Sequence, residues 1–321
     1  MKTLIRLIFI VFSLFAFPES VHCGEIRDPL DSELSARINA AAGGAVETTF
    51  TEEIGKRWKE RLDRAYRSLH DSLHGDVKSC LERSQSEWVK MKEEDEEFFP
   101  NFHISDKRAV LYEARRRCAS FRLRALMLED AAGNGALRFT GSDIYRYDGM
   151  GRRGPNIMDE WFVELYNDAP NDTQKLKLLA MAKDAWNKRW RHANFYMMER
   201  LVKEKMRSAR IDALAMEFPG LNAYLRIPEP IDGFYRHTVK NRERFLSAET
   251  KFWRSAYGEL ASAWQSLRLE RQLALEIEEC AFTGVPRKER QRKMYQFKKS
   301  DAYIYGKLRN NIFDREGGDG Q

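Results

Sequence analysis

The stretch LERSQSEWVKMK, Leu81 to Lys92, sets a leucine and a tryptophan seven residues apart in an otherwise polar, charged run. Residues at that spacing stack on one face of an α-helix, so Leu81, Trp88 and Met91 predict an amphipathic helix with one apolar side. The same frame returns at Leu179–Trp186 and at Leu246–Trp253. An aromatic follows an apolar residue upstream of each: Tyr66 after Leu62, Tyr166 after Phe162 and Tyr235 after Ile231. A unit that recurs this way reads as a degenerate helical repeat. Its tryptophans are expected in the core, where large rings fix how helices cross. An exposed aromatic shelf for a sugar chain or a partner helix is the alternative.

Working outward, Trp58, Leu62, Tyr66, Leu69, Leu73 and Val77 fall at three- and four-residue intervals, predicting a helix from Thr51 to about Gly75. The helix of Leu81 and Trp88 starts near Ser79, and Pro100 stops it. A third helix begins near Ser105 or Asp106 and carries Leu111, Cys118, Phe121 and Leu126 to Gly133. Residues 133–157 are glycine-rich and read as a linker. Beyond them a short helix ends at Pro170, and Asp172 caps a long one through Leu176, Leu179, Trp186, Trp190, Met197 and Leu201. The last long helix runs from about Lys240 to Cys280, with Gly258 tolerated inside it at about 1 kcal/mol. A basic helix, 288–299, follows it. The expected fold is all-α: tandem bundles of amphipathic hairpins. Residues 24–50 form a flexible lead-in, 51–132 a first bundle, 133–157 a linker, 158–313 a second helical region with two degenerate repeats, and 314–321 a disordered tail.

The start is a different kind of segment. Lys2 and Arg6 precede an apolar core, Leu7 to Phe17, then Pro18 and the small polar stretch before Cys23-Gly24. That is the pattern of an export signal cleaved near Cys23, and the apolar run is too short for a membrane span. The expected location is periplasmic or secreted. Removing residues 1–23 leaves 53 basic and 48 acidic residues, a net charge of +5. So mild an excess gives no ground for expecting nucleic acid. Cys80, Cys118 and Cys280 would then remain, enough for one disulfide with one thiol over.

Chemistry-bearing patterns are sparse. Gly149-Met150-Gly151-Arg152-Arg153-Gly154 spells G-x-G-x-x-G, but Pro155 follows and no strand pattern precedes it, so no nucleotide is expected. Neither H-E-x-x-H nor G-x-S-x-G occurs. No catalytic residue, cofactor or metal is assigned, and the chain is read as acting through surfaces. Two candidate surfaces stand out. Glu93, Glu94, Asp95, Glu96 and Glu97 form an acidic run suited to a basic protein partner. Lys188, Arg189, Arg191, Lys203, Lys205 and Arg207, interleaved with Trp190, Phe195 and Tyr196, suit a polyanion.

The block from Leu62 to Leu126 resembles the LprI-like lysozyme-inhibitor domain family of exported bacterial proteins. The matching positions are Leu62 and Tyr66, then Leu81, Gln85 and Trp88, then Cys118; Trp186 and Trp253 mark the fainter later copies. Asp63 stands where that family has asparagine, and Met91-Lys92-Glu93 where it has tyrosine, arginine and aspartate. The resemblance implies a small exported helical bundle that binds a protein, a lysozyme being the partner proposed for the family. The alternative is an envelope or host-directed structural protein whose basic helices hold anionic polymer or lipid.

Overall fold

The computed structural model describes residues 28–40, 44–98, 109–133, 139–145, 147–148, 157–216 and 231–282. Within these, the side chains of 198–216 and 231–238 are outside the description, as are those of a few helix-end residues, among them Cys280. The leader, the glycine motif at 149–154, the basic helix at 288–299 and the tail at 314–321 all lie outside the described residues.

Seven α-helices account for nearly all of what is described, and no strand occurs among these residues. They are α1 (Pro29–Ala40), α2 (Gly44–Ser72), α3 (Gly75–Phe98), α4 (Ala109–Ala132), α5 (Ile157–Asp168), α6 (Asp172–Met216) and α7 (Ile231–Phe282). One turn of 3-10 helix, Gly141–Tyr145, precedes α5. The starts follow capping chemistry. The Leu30 amide donates to Asp28 Oδ1 at 2.9 Å, with Pro29 in the first helical position where no amide is needed. Asn171, one residue before the expected Asp172, caps α6 by accepting the Gln174 amide at 2.9 Å.

Apolar stripes explain the packing. On α2, Ile54, Trp58, Leu62, Ala65 and Leu69 are buried at the three-and-four spacing. This face lies along α4, where a Cβ at Gly55 would stand in ordinary van der Waals contact with the Cys118 Cβ, at 3.5 Å. The helix of Leu81 and Trp88 packs along α7 instead, and α6 packs on α7 from another side. Trp186, Trp253 and Trp264 are almost wholly enclosed, each at most 1% exposed, and Trp88 is 6% exposed. The tryptophans are therefore core and not a shelf. Trp264 sits against Phe162, Tyr166 and Phe139, and its indole N–H donates to the Tyr166 hydroxyl at 2.7 Å.

Three expectations are corrected. Residues 24–50 hold α1 and the first turns of α2, because Leu30 and Leu34 give that segment an apolar edge to bury. The stretch read as a linker contributes Ile144 and Tyr147 to the core, and Tyr147 donates its hydroxyl proton to Asp130 Oδ2 at 2.8 Å. Gly258 is not a tolerated interior glycine. At φ 87°, ψ −176° it interrupts the helix, and the two arms of α7 fold back on each other. Arg242 of the first arm pairs with Glu270 of the second, and Ser262 Oγ donates to the Thr250 carbonyl at 2.9 Å. The last helix is a hairpin.

That conformation belongs almost entirely to glycine. A Cβ at Gly258 would meet nothing within 4 Å, so the cost of Gly258→Ala is backbone strain alone. The expected loss is about 1–3 kcal/mol, read as a lower denaturant midpoint with an unchanged slope.

Candidate functional site

An open groove of about 940 Å³ lies between α6 and the first arm of α7. Trp190 and Arg242 form its floor, with the guanidinium carbon 3.9 Å from the ring centroid. Arg242 is only 6% exposed and its partner Glu270 only 4%, so both charges are desolvated and depend on each other. Burial pushes the Glu270 carboxyl up and the Arg242 guanidinium down, and their mutual contact opposes both shifts. Lys183 and Arg191 also lie close enough to Glu270 to hold its proton affinity down.

The rim is cationic. Lys183, Arg191, Lys251 and Arg254 stand around the opening, against Glu243 as the only further carboxylate. Arg254 is engaged by Glu259 at 2.7 Å. Lys183, Arg191 and Lys251 make no ion pair among the described residues. A second, smaller hollow of about 540 Å³ shares Glu243 and Ser247 with the groove and adds Arg83, Lys240 and Arg244, together with Lys90 and Glu87, which pair at 3.0 Å. Together they form a wide basin with a surplus of positive charge and an aromatic floor. Such a surface attracts phosphate, sulfate or carboxylate groups. Among the described residues no three His, Cys, Asp or Glu side chains converge as metal ligands.

The residues expected to bind polyanion separate. Arg191 is exposed and lines the groove; Lys188 is exposed nearby and pairs with Asp184 at 2.6 Å. Arg189 does not belong to that surface. It is 5% exposed, donates to both oxygens of Glu278, and stacks on Trp186. The helical turn decides this: Arg189 lies about 100° from each sequence neighbour and falls on the core side. The side chains of Lys203, Lys205 and Arg207 are outside the described residues.

The acidic run is also less open than its composition suggests. Asp95 lies 3.8 Å from Arg116, and Glu96 pairs with Lys92 at 2.8 Å and Arg117 at 3.2 Å. Glu93 and Glu97 are exposed, whereas Glu94, Asp95 and Glu96 are half-buried. Desolvation, aided by Glu94, Glu113 and Glu96 and opposed by Arg116, raises the Asp95 carboxyl to about 7.

The signature residues have structural work. Leu62, Leu81, Trp88, Cys118, Trp186 and Trp253 are buried, and Tyr66 is half-buried. Gln85 accepts from Arg124 Nε at 3.0 Å. Cys80 and Cys118 are both free thiols. Burial pushes the Cys118 thiol up to about 12, which leaves it protonated and unreactive.

Sequence reasoning missed Arg242, Lys183 and Lys251, because the groove is assembled by packing of α6 on α7, with Glu270 brought in by the reversal at Gly258. The one available signal was Lys251 and Arg254, three residues apart on the side of the helix away from Phe252 and Trp253.

Asp95 generates a pH prediction. Its folded affinity for a proton exceeds the ordinary carboxylate value of 3.8, so the unfolded chain releases that proton first as pH rises. This group's contribution to stability is therefore present at low pH and falls away between about pH 4 and pH 7. Asp95→Asn is expected to stabilise the protein at pH 8, by up to about 2 kcal/mol once the water reaching this side chain is allowed for, and to do little at pH 4. Denaturation midpoints at the two pH values measure it.

No family model matches the chain, and no curated protein matches it. Among solved structures, the crystal structure of an uncharacterized protein from Burkholderia thailandensis is similar in part. It has 14% identity and a TM-score of 0.45, over 80% of this chain and 97% of that one.

Proposed function

We propose that this protein is an exported, non-catalytic binding protein that takes an anionic component of the cell envelope into the groove between α6 and α7. The observation that carries the reading is the groove's rim: Lys183, Arg191 and Lys251 surround a built floor and none of them forms an ion pair among the described residues, Glu270 below Lys183 and Arg191 being paired with Arg242. Cations left unpaired around a concavity are available to an incoming anion without first breaking an internal pair. The leader pattern supports an envelope or extracellular partner over an intracellular one, and the resemblance to LprI-like domains supports binding over chemistry.

The other partner suggested by that resemblance, a basic lysozyme, needs an acidic face. Asp95 and Glu96 are taken up by Arg116, Lys92 and Arg117. The acidic run thus supports a lysozyme less well than the groove supports an anion.

The test is titration of the protein with short-chain inorganic polyphosphate, followed by calorimetry at rising salt, with inhibition of a muramidase measured in parallel. Binding is expected to weaken steeply with salt. Arg191→Glu combined with Lys251→Glu should weaken it by at least about tenfold without altering the circular dichroism. Binding indifferent to both salt and the double variant, or muramidase inhibition that survives it, overturns the reading.

A further inference from the structure

The most exposed large apolar side chain described is Phe195, 72% exposed on α6. A single exposed phenylalanine means little alone, but its neighbours on the helix surface are specific. It lies four residues after Arg191 and seven after Lys188, about 40° round the helix from Arg191. Lys188 and Arg191 are themselves exposed, and Arg191 is part of the groove's rim. The opposite side of the same helix, Ala182, Trp186, Arg189 and Ala193, is buried. An apolar ring therefore projects from the lip of a cationic groove, flanked by two long basic side chains.

We infer that this lip docks the protein on an anionic bilayer, with Phe195 entering the acyl boundary while Arg191 and the groove take phosphate headgroups. The inference rests on the groove being an anion site and adds what kind of anion fills it. Charge complementarity selects a negative surface, and the ring separates a bilayer from a soluble polyanion. A phenyl group offers no hydrogen bond to a hydrated polymer, but it gains by leaving water for lipid. Arg191 suits the headgroup because a guanidinium grips phosphate with two parallel hydrogen bonds. Attachment of this kind is peripheral: no helix among the described residues is long and apolar enough to cross a membrane.

The experiment is flotation of the full chain with phosphatidylcholine vesicles prepared with and without phosphatidylglycerol, beside the polyphosphate titration. The wild type is expected to float only with the anionic vesicles. Phe195→Ala should lose about tenfold in vesicle partition while binding polyphosphate as before, and Phe195→Trp should partition like wild type. The introduced indole should also be quenched by brominated acyl chains more than the native tryptophans are. Vesicle binding unchanged in Phe195→Ala, or no flotation by a protein that still binds polyphosphate, overturns the bilayer inference and leaves the groove reading standing. Failure to bind either probe overturns both.

Discussion

One buried ion pair joins the distant parts of this chain. Arg124 of α4 is fully enclosed and donates to Glu249 of α7 at 2.7 Å, across 125 residues of sequence. Ser84 of α3 donates to the same carboxylate, Gln85 takes the guanidinium's Nε, and the Trp253 indole donates to the other carboxylate oxygen at 2.8 Å. Every partner of the pair is itself held by a helix. Removing one charge would strand the other in the interior, at a cost of about 3–5 kcal/mol. Such a pair adds little net stability over apolar packing, but it admits one registry: α7 must lie where Glu249 meets Arg124. That registry aligns α7 against α3 and so positions one wall of the groove.

The same device recurs further along. Arg271 binds Asp148 and Asp159, Arg268 donates from Nε to the Asp143 carbonyl at 2.9 Å, and Arg189 grips Glu278. These guanidiniums also lie over aromatic rings: Arg268 by Trp264 and Tyr147, Arg271 by Tyr145, and Arg189 by Trp186. Arginine suits this use because its planar, weakly hydrated head both stacks and forks. Asp143 and Asp148 belong to the glycine-rich stretch, so the ion pairs fasten a segment that has few apolar residues of its own. The 3-10 turn, Tyr147 and Asp148 are thus part of the packed structure.

Helix content was legible because it follows from period: the Leu81–Trp88 frame and its two echoes are buried as the spacing requires. Long-range assembly was not. Arg124, Arg189 and Arg242 read as surface charge in any local window, since nothing in the flanking sequence names a carboxylate a hundred residues away. Gly258 read as a weak helix interior because propensity prices a glycine within a helix and does not see that leaving the helix lets Trp253 and Trp264 reach the same core. The groove inherits both blind spots. Arg191 was legible as a solvent-facing cation, but the wall opposite it comes from α7, some fifty residues away in sequence, and Glu270 beneath it is delivered by the reversal at Gly258.

Net charge was a poor guide for a related reason. The chain's small positive excess conceals how unevenly its charges are committed. Carboxylates of α3 are balanced by Arg116, Arg117 and Lys92 close by, and Glu249, Glu270 and Glu278 are spent inside on arginines. Each buried pair removes one charge of each sign from the surface and leaves the total unchanged. What reaches solvent is then set by where unmatched residues happen to face. At the groove rim these are Lys183, Arg191 and Lys251, and a modest global excess becomes a concentrated local field. The placement of these bases, more than their count, is what concentrates positive charge on that face.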